Sequence, residues 1–513
     1  MGLAQSASAA PILLDREEEP VRGNTTKDLF LASGKVSLYQ GLGLLLAFCL
    51  QAFLSRSSGA AALGGFTLFV AWLTILSVLT IPGLESTLVY FLPRYGADPG
   101  SRRRVVFVSL LITGAVSTMA AGVILSAGGR GLVWIGLPAG ARIAFAFSVI
   151  VFSIGKLLDA VFLGMGDAQL IGFFNGMRTI LRLLFCLPVL FYPKATGPIL
   201  FGAILCEGTL TAIMRYRKMR SRYPELRRLW QAESPGAVLQ RRAIVANALP
   251  MCGINVIDTV SPFLDKAILG VIGSLDMVGI YRVSESLASL NTLFVAPFIA
   301  FWPHISRLFG AGRLEELREA YRNVNLLIIA LMIPFSLVLV EMSDFALSLF
   351  GKGFAHQGRA VLLILAFGSA VDAIAGPAGA VLRMTSHSRV SLAINLFLLV
   401  LYAGLGVLLT RRYGLVGAAL ARTTMLVMGN AANLVANYLL LRIFPYTLKH
   451  ASLLGCGVAI LAARYLCLGS NCTTEAHGVI VMAEAAAFAG CAALILREQT
   501  RQAIGLMRNA LAA

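Results

Sequence analysis

Apolar runs with few charges recur along the whole chain, separated by short polar or basic segments. They fall at roughly 36–54, 66–92, 105–127, 142–164, 169–191 and 197–214. After a polar gap they resume at roughly 243–272, 279–303, 323–341, 359–382, 390–410, 414–441, 450–468 and 478–496. Each is close to the ~20 residues needed to cross ~30 Å of hydrocarbon. Lipid offers the backbone no hydrogen-bond partner, so spans of that length are helical. The pattern predicts an all-α polytopic membrane protein with about fourteen transmembrane helices. Pro82, Pro188, Pro262, Pro297, Pro334 and Pro377 lie inside runs and predict bends.

Composition points the same way. Of 513 residues, 58% are apolar and 13% charged, against ~25% charged in a soluble domain. In a soluble protein a net charge of +18 would suggest nucleic acid. Here the bases sit in short loops between apolar runs, so their message is topological and no nucleic-acid partner is expected. With the N-terminus inside, 28 lysines and arginines fall in cytoplasmic segments and nine on the other side. That bias predicts both termini in the cytoplasm, which requires an even number of spans. Arg411 and Arg412 run against the rule, so the hairpin around them is the weakest part of this topology. Residues 1–35 are polar, carry the acidic cluster Asp15, Glu17, Glu18 and Glu19, and are expected to form a cytoplasmic tail without a cleavable signal peptide. Cys467 and Cys472 flank a short loop and are the pair an oxidising compartment would join.

The two halves echo each other. Gly65-Phe66, Pro82 and Pro93-Arg94 recur as Gly279-Ile280-Tyr281, Pro297 and Pro303-His304. The junction Phe162-Leu163-Gly164-Met165-Gly166-Asp167, then Asn175, recurs as Val381-Leu382-Arg383-Met384-Thr385-Ser386, then Asn395. Gly197-Pro198 with Gly202-Ala203 recurs as Gly414-Leu415 with Gly417-Ala418. Six spans before the second copy give both copies one orientation. Parallel repeats of this kind are a transporter architecture, with substrate bound between the halves. The organisation predicted is a tail (1–35), a six-helix bundle (36–214), a basic cytoplasmic linker (215–242), a second six-helix bundle (243–444), and two further helices with a tail (445–513).

Several motifs carry a family resemblance. They are Asp265-Lys266-Ala267-Ile268-Leu269-Gly270 with Val278-Gly279-Ile280-Tyr281, then Pro303-His304-Ile305-Ser306-Arg307-Leu308, then Tyr413-Gly414-Leu415-Val416-Gly417-Ala418-Ala419. In this order they resemble Wzx-type polysaccharide flippases of the multidrug/oligosaccharidyl-lipid/polysaccharide exporter superfamily, over roughly residues 30–445. The resemblance implies two six-helix bundles around a central cavity, working by alternating access in a bacterial inner membrane. It implies as substrate a polyprenyl-pyrophosphate-linked glycan, moved to the periplasmic leaflet while its tail stays in membrane lipid. A polysaccharide polymerase and glycosyltransferases would be the associated partners. Fourteen spans look more like the lipid II flippase branch, which stays open as an alternative. A multidrug/cation antiporter shares the fold but favours cavity acids over bases.

Fifteen ionisable groups fall within the runs. A charge at the bilayer centre costs ~2.5–3.5 kcal/mol on insertion scales, so such groups face protein or water. Asn175, Arg178 and Arg182 share one face of the fifth run at i, i+3 and i+7. Two guanidiniums so placed suit pyrophosphate oxygens, and Lys156, Arg282 and Arg422 are further candidates for substrate. The other reading is that these bases pair with Glu207, Asp159 or other acids and fix helix packing. Asp258 and Asp372 are mid-membrane acids, placed either to bind a coupling proton or Na⁺ or to pair structurally. Asp265 and Glu285 belong with them, and Arg282 and Glu285 lie at a depth where they can meet Asp265 and Lys266. Glu85 follows Pro82-Gly83 in an expected kink, which gives it a gating or amide-capping role. No loop is long enough for a catalytic domain, no GxxxxGK[ST] loop is present, and the five histidines lack metal spacing. The expectation is a transporter with no catalytic residues, cofactor or metal.

Overall fold

The computed structural model describes residues 26–81, 83–94, 99–127, 133, 135–192, 195–227, 256–257, 259–294, 305, 308–385, 387–468 and 474–495. The first half consists of α1 (Thr26–Leu79), α2 (Leu84–Arg94), α3 (Pro99–Ser126), α4 (Arg142–Gly164), α5 (Ala168–Cys186) and α6 (Thr196–Arg222). The second comprises α7 (Leu264–Ile272), α8 (Leu275–Ala288), α9 (Leu314–Glu341), α10 (Ser343–Ser348), α11 (Lys352–Ala375), α12 (Ala378–Met384) and α13 (Ser388–Leu441). Then follow α14 (Leu448–Leu468) and α15 (Thr474–Ile495). Among the described residues, eight helices are long and apolar enough to cross a membrane. The protein is an all-α, multi-pass membrane protein.

The runs are tied together more tightly than their polar gaps suggest. At 1.5 Å per residue, a straight helix of 54 residues would be about 80 Å long, far more than one bilayer. Both α1 and α13 have that length, and each is broken at a glycine, Gly59 (φ 80°) and Gly414 (φ 56°). At Gly414 the chain doubles back, so that a Cβ on Gly417 would stand 1.9 Å from the Leu409 carbonyl oxygen. The segments read as loops are thus helical up to a single residue that only glycine accommodates easily. Arg411 and Arg412 are exposed at this turn. α1 begins at Thr26, inside the segment expected to be tail.

Of the six prolines, Pro334 lies within α9, Pro188 in a 3₁₀ turn that ends α5, and Pro262 in a 3₁₀ turn that precedes α7. Pro377 follows Gly376 where α11 gives way to α12. Pro82 and Pro297 lie outside the described residues. The two junctions matched in the repeat are both tight turns, one leading from α4 to α5 and the other from α12 to α13.

Among the described residues the halves share one apolar core at one end and have distinct cores at the other. Lipid tails are as apolar as leucine, so close backbone packing and polar contacts must hold membrane helices together. At the end carrying Gly59 and Gly414, α1 crosses α8 backbone to backbone. A Cβ on Gly64 would stand 1.7 Å from the Leu275 carbonyl oxygen, and one on Gly279 2.1 Å from that of Ala60. Ser286 Oγ donates to Gln51 Oε1 (3.0 Å), and Arg56 Nε to the Leu349 carbonyl (2.7 Å). One apolar core runs through both halves there, joining Leu54, Phe69 and Phe201 to Val278, Tyr281 and Phe350. The opposite end, rich in arginine, has two distinct cores. Leu88, Leu92, Phe162, Phe174 and Tyr223 form one in the first half. Ile305, Tyr321, Val381 and Ile443 form the other in the second. α14 and α15 pack on α9 through Leu453 and Phe488 against Ile329 and Met332.

Candidate functional site

In the first half the charged side chains gather between α2, α4, α5 and α6. Glu85, Lys156 and Asp159 line one cavity of about 750 Å³, with Ser86, Val89 and Ile171. Lys156 and Asp159 share a face of α4 because they are one turn apart. Asp159 is held from α6: Arg215 Nε donates to its Oδ1 at 2.7 Å, and the Arg215 guanidinium lies 5.3 Å from the Phe174 ring centroid. Arg182 forms an ion pair with the fully buried Glu207 of α6 and lies over the Phe66 ring at 5.6 Å.

Arg178, one turn earlier on α5, is different. Its guanidinium lies 5.4 Å from the Phe152 ring centroid, within electrostatic reach of Arg182, Glu207, Arg215, Asp159 and Lys156. Among the described residues neither Arg178 nor Lys156 has an ion-pair partner. Arg178 and Arg182 therefore diverge to different neighbours, and only one of them is committed to an acid. Asn175 stands exposed one turn from Arg178.

The second half arranges its charges in the other way. Lys266 is 1% exposed and fully engaged. Its Nζ donates to Asp265 Oδ1 (3.0 Å), Glu285 Oε1 (2.5 Å) and the Pro262 carbonyl (2.5 Å). Tyr281 OH donates to Asp265 Oδ2 at 2.8 Å, and Arg282 Nη1 to Glu285 Oε2 at 3.0 Å. Arg422 Nη1 donates to the Ser261 carbonyl at 3.3 Å. Asp372 accepts from Asn430 Nδ2 at 2.8 Å. Asp258 and Cys472 lie outside the described residues.

Arg215 is the residue that reading by apolar runs missed. The apolar pattern places it in the cytoplasmic linker, but α6 continues to Arg222 and buries Arg215 to 3% exposure. Its signal was helical spacing: Glu207, Thr211 and Arg215 follow one another at four-residue steps. No group of three or more His, Cys, Asp or Glu suited to a metal ion occurs among the described residues.

A polytopic helical bundle joined at one end, with a charged cavity in the interior of one half, is the architecture of a membrane transporter. Residues 250–408 match the MatE family model. A Shigella flexneri protein described as "Putative O-antigen transporter" is 26% identical over 172 residues, which is 33% of this chain and 40% of that protein. The chain thus matches well under half the length of that relative. Among solved structures, the lipid II flippase MurJ in an inward closed conformation superposes with a TM-score of 0.70 at 11% identity, over 92% of this chain and all of that one. An inward-facing MATE family transporter of the MOP superfamily gives 0.59 at 15% identity, over 82% and 96%. The chain carries a MatE region within the fold of these transporters, and the proteins it resembles are transporters rather than enzymes.

Proposed function

We propose that the protein flips a polyprenyl-pyrophosphate-linked oligosaccharide repeat unit across a bacterial inner membrane by alternating access. The observation that carries this reading is Arg178. Among the described residues this guanidinium inside the membrane has no carboxylate partner, and a charge so placed needs an anion or water; Lys156 beside it, likewise without an ion-pair partner among them, adds a second cation. Together they suit a pyrophosphate, whose charges cannot enter hydrocarbon unaided. At the arginine-rich end, which the positive-inside rule assigns to the cytoplasm, the described residues of the two halves form distinct cores, which suits loading of such a precursor there. Both termini are cytoplasmic in this reading. The resemblance to an O-antigen transporter supports a glycan repeat unit as cargo. Transfer of two negative charges outward across ~100 mV, negative inside, is favourable by ~4.6 kcal/mol. Membrane potential, with or without ion antiport, then biases the cycle.

One observation favours a second reading. The MurJ fold covers 92% of the chain, which includes helices beyond the twelve of the two bundles. A lipid II flippase would use the same anion site on a different head group. The test is Arg178→Ala, alone and with Lys156→Ala, in cells lacking the wild-type chain, with protein abundance matched. Surface polymer should fall at least tenfold for the single variant and further for the double. Undiminished polymer at equal abundance would refute the role of Arg178. Rescue of a strain depleted of its lipid II flippase would shift the cargo to that lipid.

A further inference from the structure

We propose that the outer wall of the first half holds a binding site for an anionic phospholipid of the leaflet at the arginine-rich end. A groove of about 710 Å³ lies over α4 and α6, with a floor of Ile154, Ala212 and Ile213 and a rim of Arg217, Arg220 and Arg227. It is separate from the charged cavity. On α4, Ile154 points about 160° away from Lys156 and about 140° away from Asp159 at ~100° per residue. On α6, Ile213, Arg217 and Arg220 project away from the face that carries Glu207 and Arg215. The groove therefore opens to the surrounding lipid. Its floor continues along the wall through Phe147 and Ile143 of α4 and Leu210 of α6, all exposed.

The arginine rim is positioned. Arg227 Nε donates to the Arg220 carbonyl at 3.0 Å, which fixes it across the end of α6. The Arg220 guanidinium lies 5.8 Å from the Tyr216 ring centroid. The nearby acids are engaged elsewhere: Glu225 with Arg102 at 3.7 Å, and Asp167 with Arg222 at 3.3 Å. Among the described residues no carboxylate pairs with Arg217, Arg220 or Arg227. Three uncommitted guanidiniums above an aliphatic trough match a phosphate-bearing head group above acyl chains. A free phosphate would have no use for the trough. A zwitterionic lipid would bring its own cation to the rim.

The test uses the full chain in detergent, titrated with phosphatidylglycerol or phosphatidylcholine and followed by native mass spectrometry. Wild type should retain phosphatidylglycerol at least tenfold better. Arg217→Gln with Arg220→Gln and Arg227→Gln should abolish that preference, and the corresponding triple lysine variant should keep most of it. Folding is controlled by requiring an unchanged melting temperature in phosphatidylcholine, and the lysine variant provides a second folded comparator. Arg178→Gln should leave the preference intact, which separates this site from the transport cavity. A preference that survives the triple glutamine change, or is lost in Arg178→Gln, would overturn the proposal. So would displacement of phosphatidylglycerol by equimolar undecaprenyl pyrophosphate, because the groove would then belong to the cargo.

Discussion

The two halves bury similar sets of charges and use them in opposite ways. In the second half, Asp265, Lys266, Tyr281, Arg282 and Glu285 close on one another, and each charge has a partner. In the first half, two pairs are closed, Arg182 with Glu207 and Arg215 with Asp159, while Glu85 and Lys156 line a cavity and, among the described residues, neither they nor Arg178 form an ion pair. A closed network is anchored where the halves are fused, next to the α1–α8 crossing. Open charges lie toward the end where the described residues of the two halves form distinct cores. The difference teaches that intramembrane charge is not by itself a sign of a substrate site. What distinguishes the two clusters is whether the charge is already satisfied by protein.

The sharpest way to break this comparison is Lys266→Met. It removes the cation that joins Asp265 to Glu285 and leaves two carboxylates in a buried site. Breaking a buried pair costs about 3–5 kcal/mol, and here Asp265 is left with Tyr281 and Glu285 with the partly exposed Arg282. The variant should show a large drop in melting temperature and in the yield of folded protein. If it melts like wild type, the second cluster is not structural.

Arg182→Ala comes next and tests the boundary inside the first half. Glu207 is fully buried, so its loss of Arg182 should cost about 3 kcal/mol unless the acid takes up a proton. Arg182→Ala with Glu207→Ala removes both charges and should recover most of that stability, because the desolvated acid is gone. Arg178→Ala, with no acid to orphan, should melt close to wild type. Melting curves of the four proteins read this out. A double variant no more stable than Arg182→Ala would mean that the arginine contributes something other than pairing.

Much of the fold was legible from the apolar pattern, because hydrocarbon thickness fixes span length whatever the tertiary packing. The closeness of Glu285 to Lys266 was legible too, since depth along two adjacent spans follows from residue count. The pairing choices were not. Arg178 and Arg182 share one helical face, yet only Arg182 finds an acid, because that depends on where α6 brings Glu207. Arg215 was hidden by its own charge: a long basic side chain ends an apolar run in sequence while the helix continues underneath it. The turns near Gly59 and Gly414 fall in the gaps between runs, but the pattern did not show that helix continues up to a single glycine on either side.

The smallest effect should come from Arg282→Ala. Arg282 lies one turn before Glu285 and is about one-third exposed, so solvent screens the pair. Its removal leaves Glu285 still bonded to Lys266, and Lys266 still bonded to Asp265. The network therefore loses an outer member and keeps its buried core, at a cost under about 1 kcal/mol. The substitution sharpens the contrast with Arg178, also a half-buried arginine in a span but one with no carboxylate partner among the described residues. If cargo recognition follows unsatisfied charge, Arg282→Ala should retain both stability and surface polymer where Arg178→Ala loses the polymer alone. Equal loss of polymer in both variants would mean that exposure to the interior, rather than the absence of a partner, selects the residues that meet the substrate.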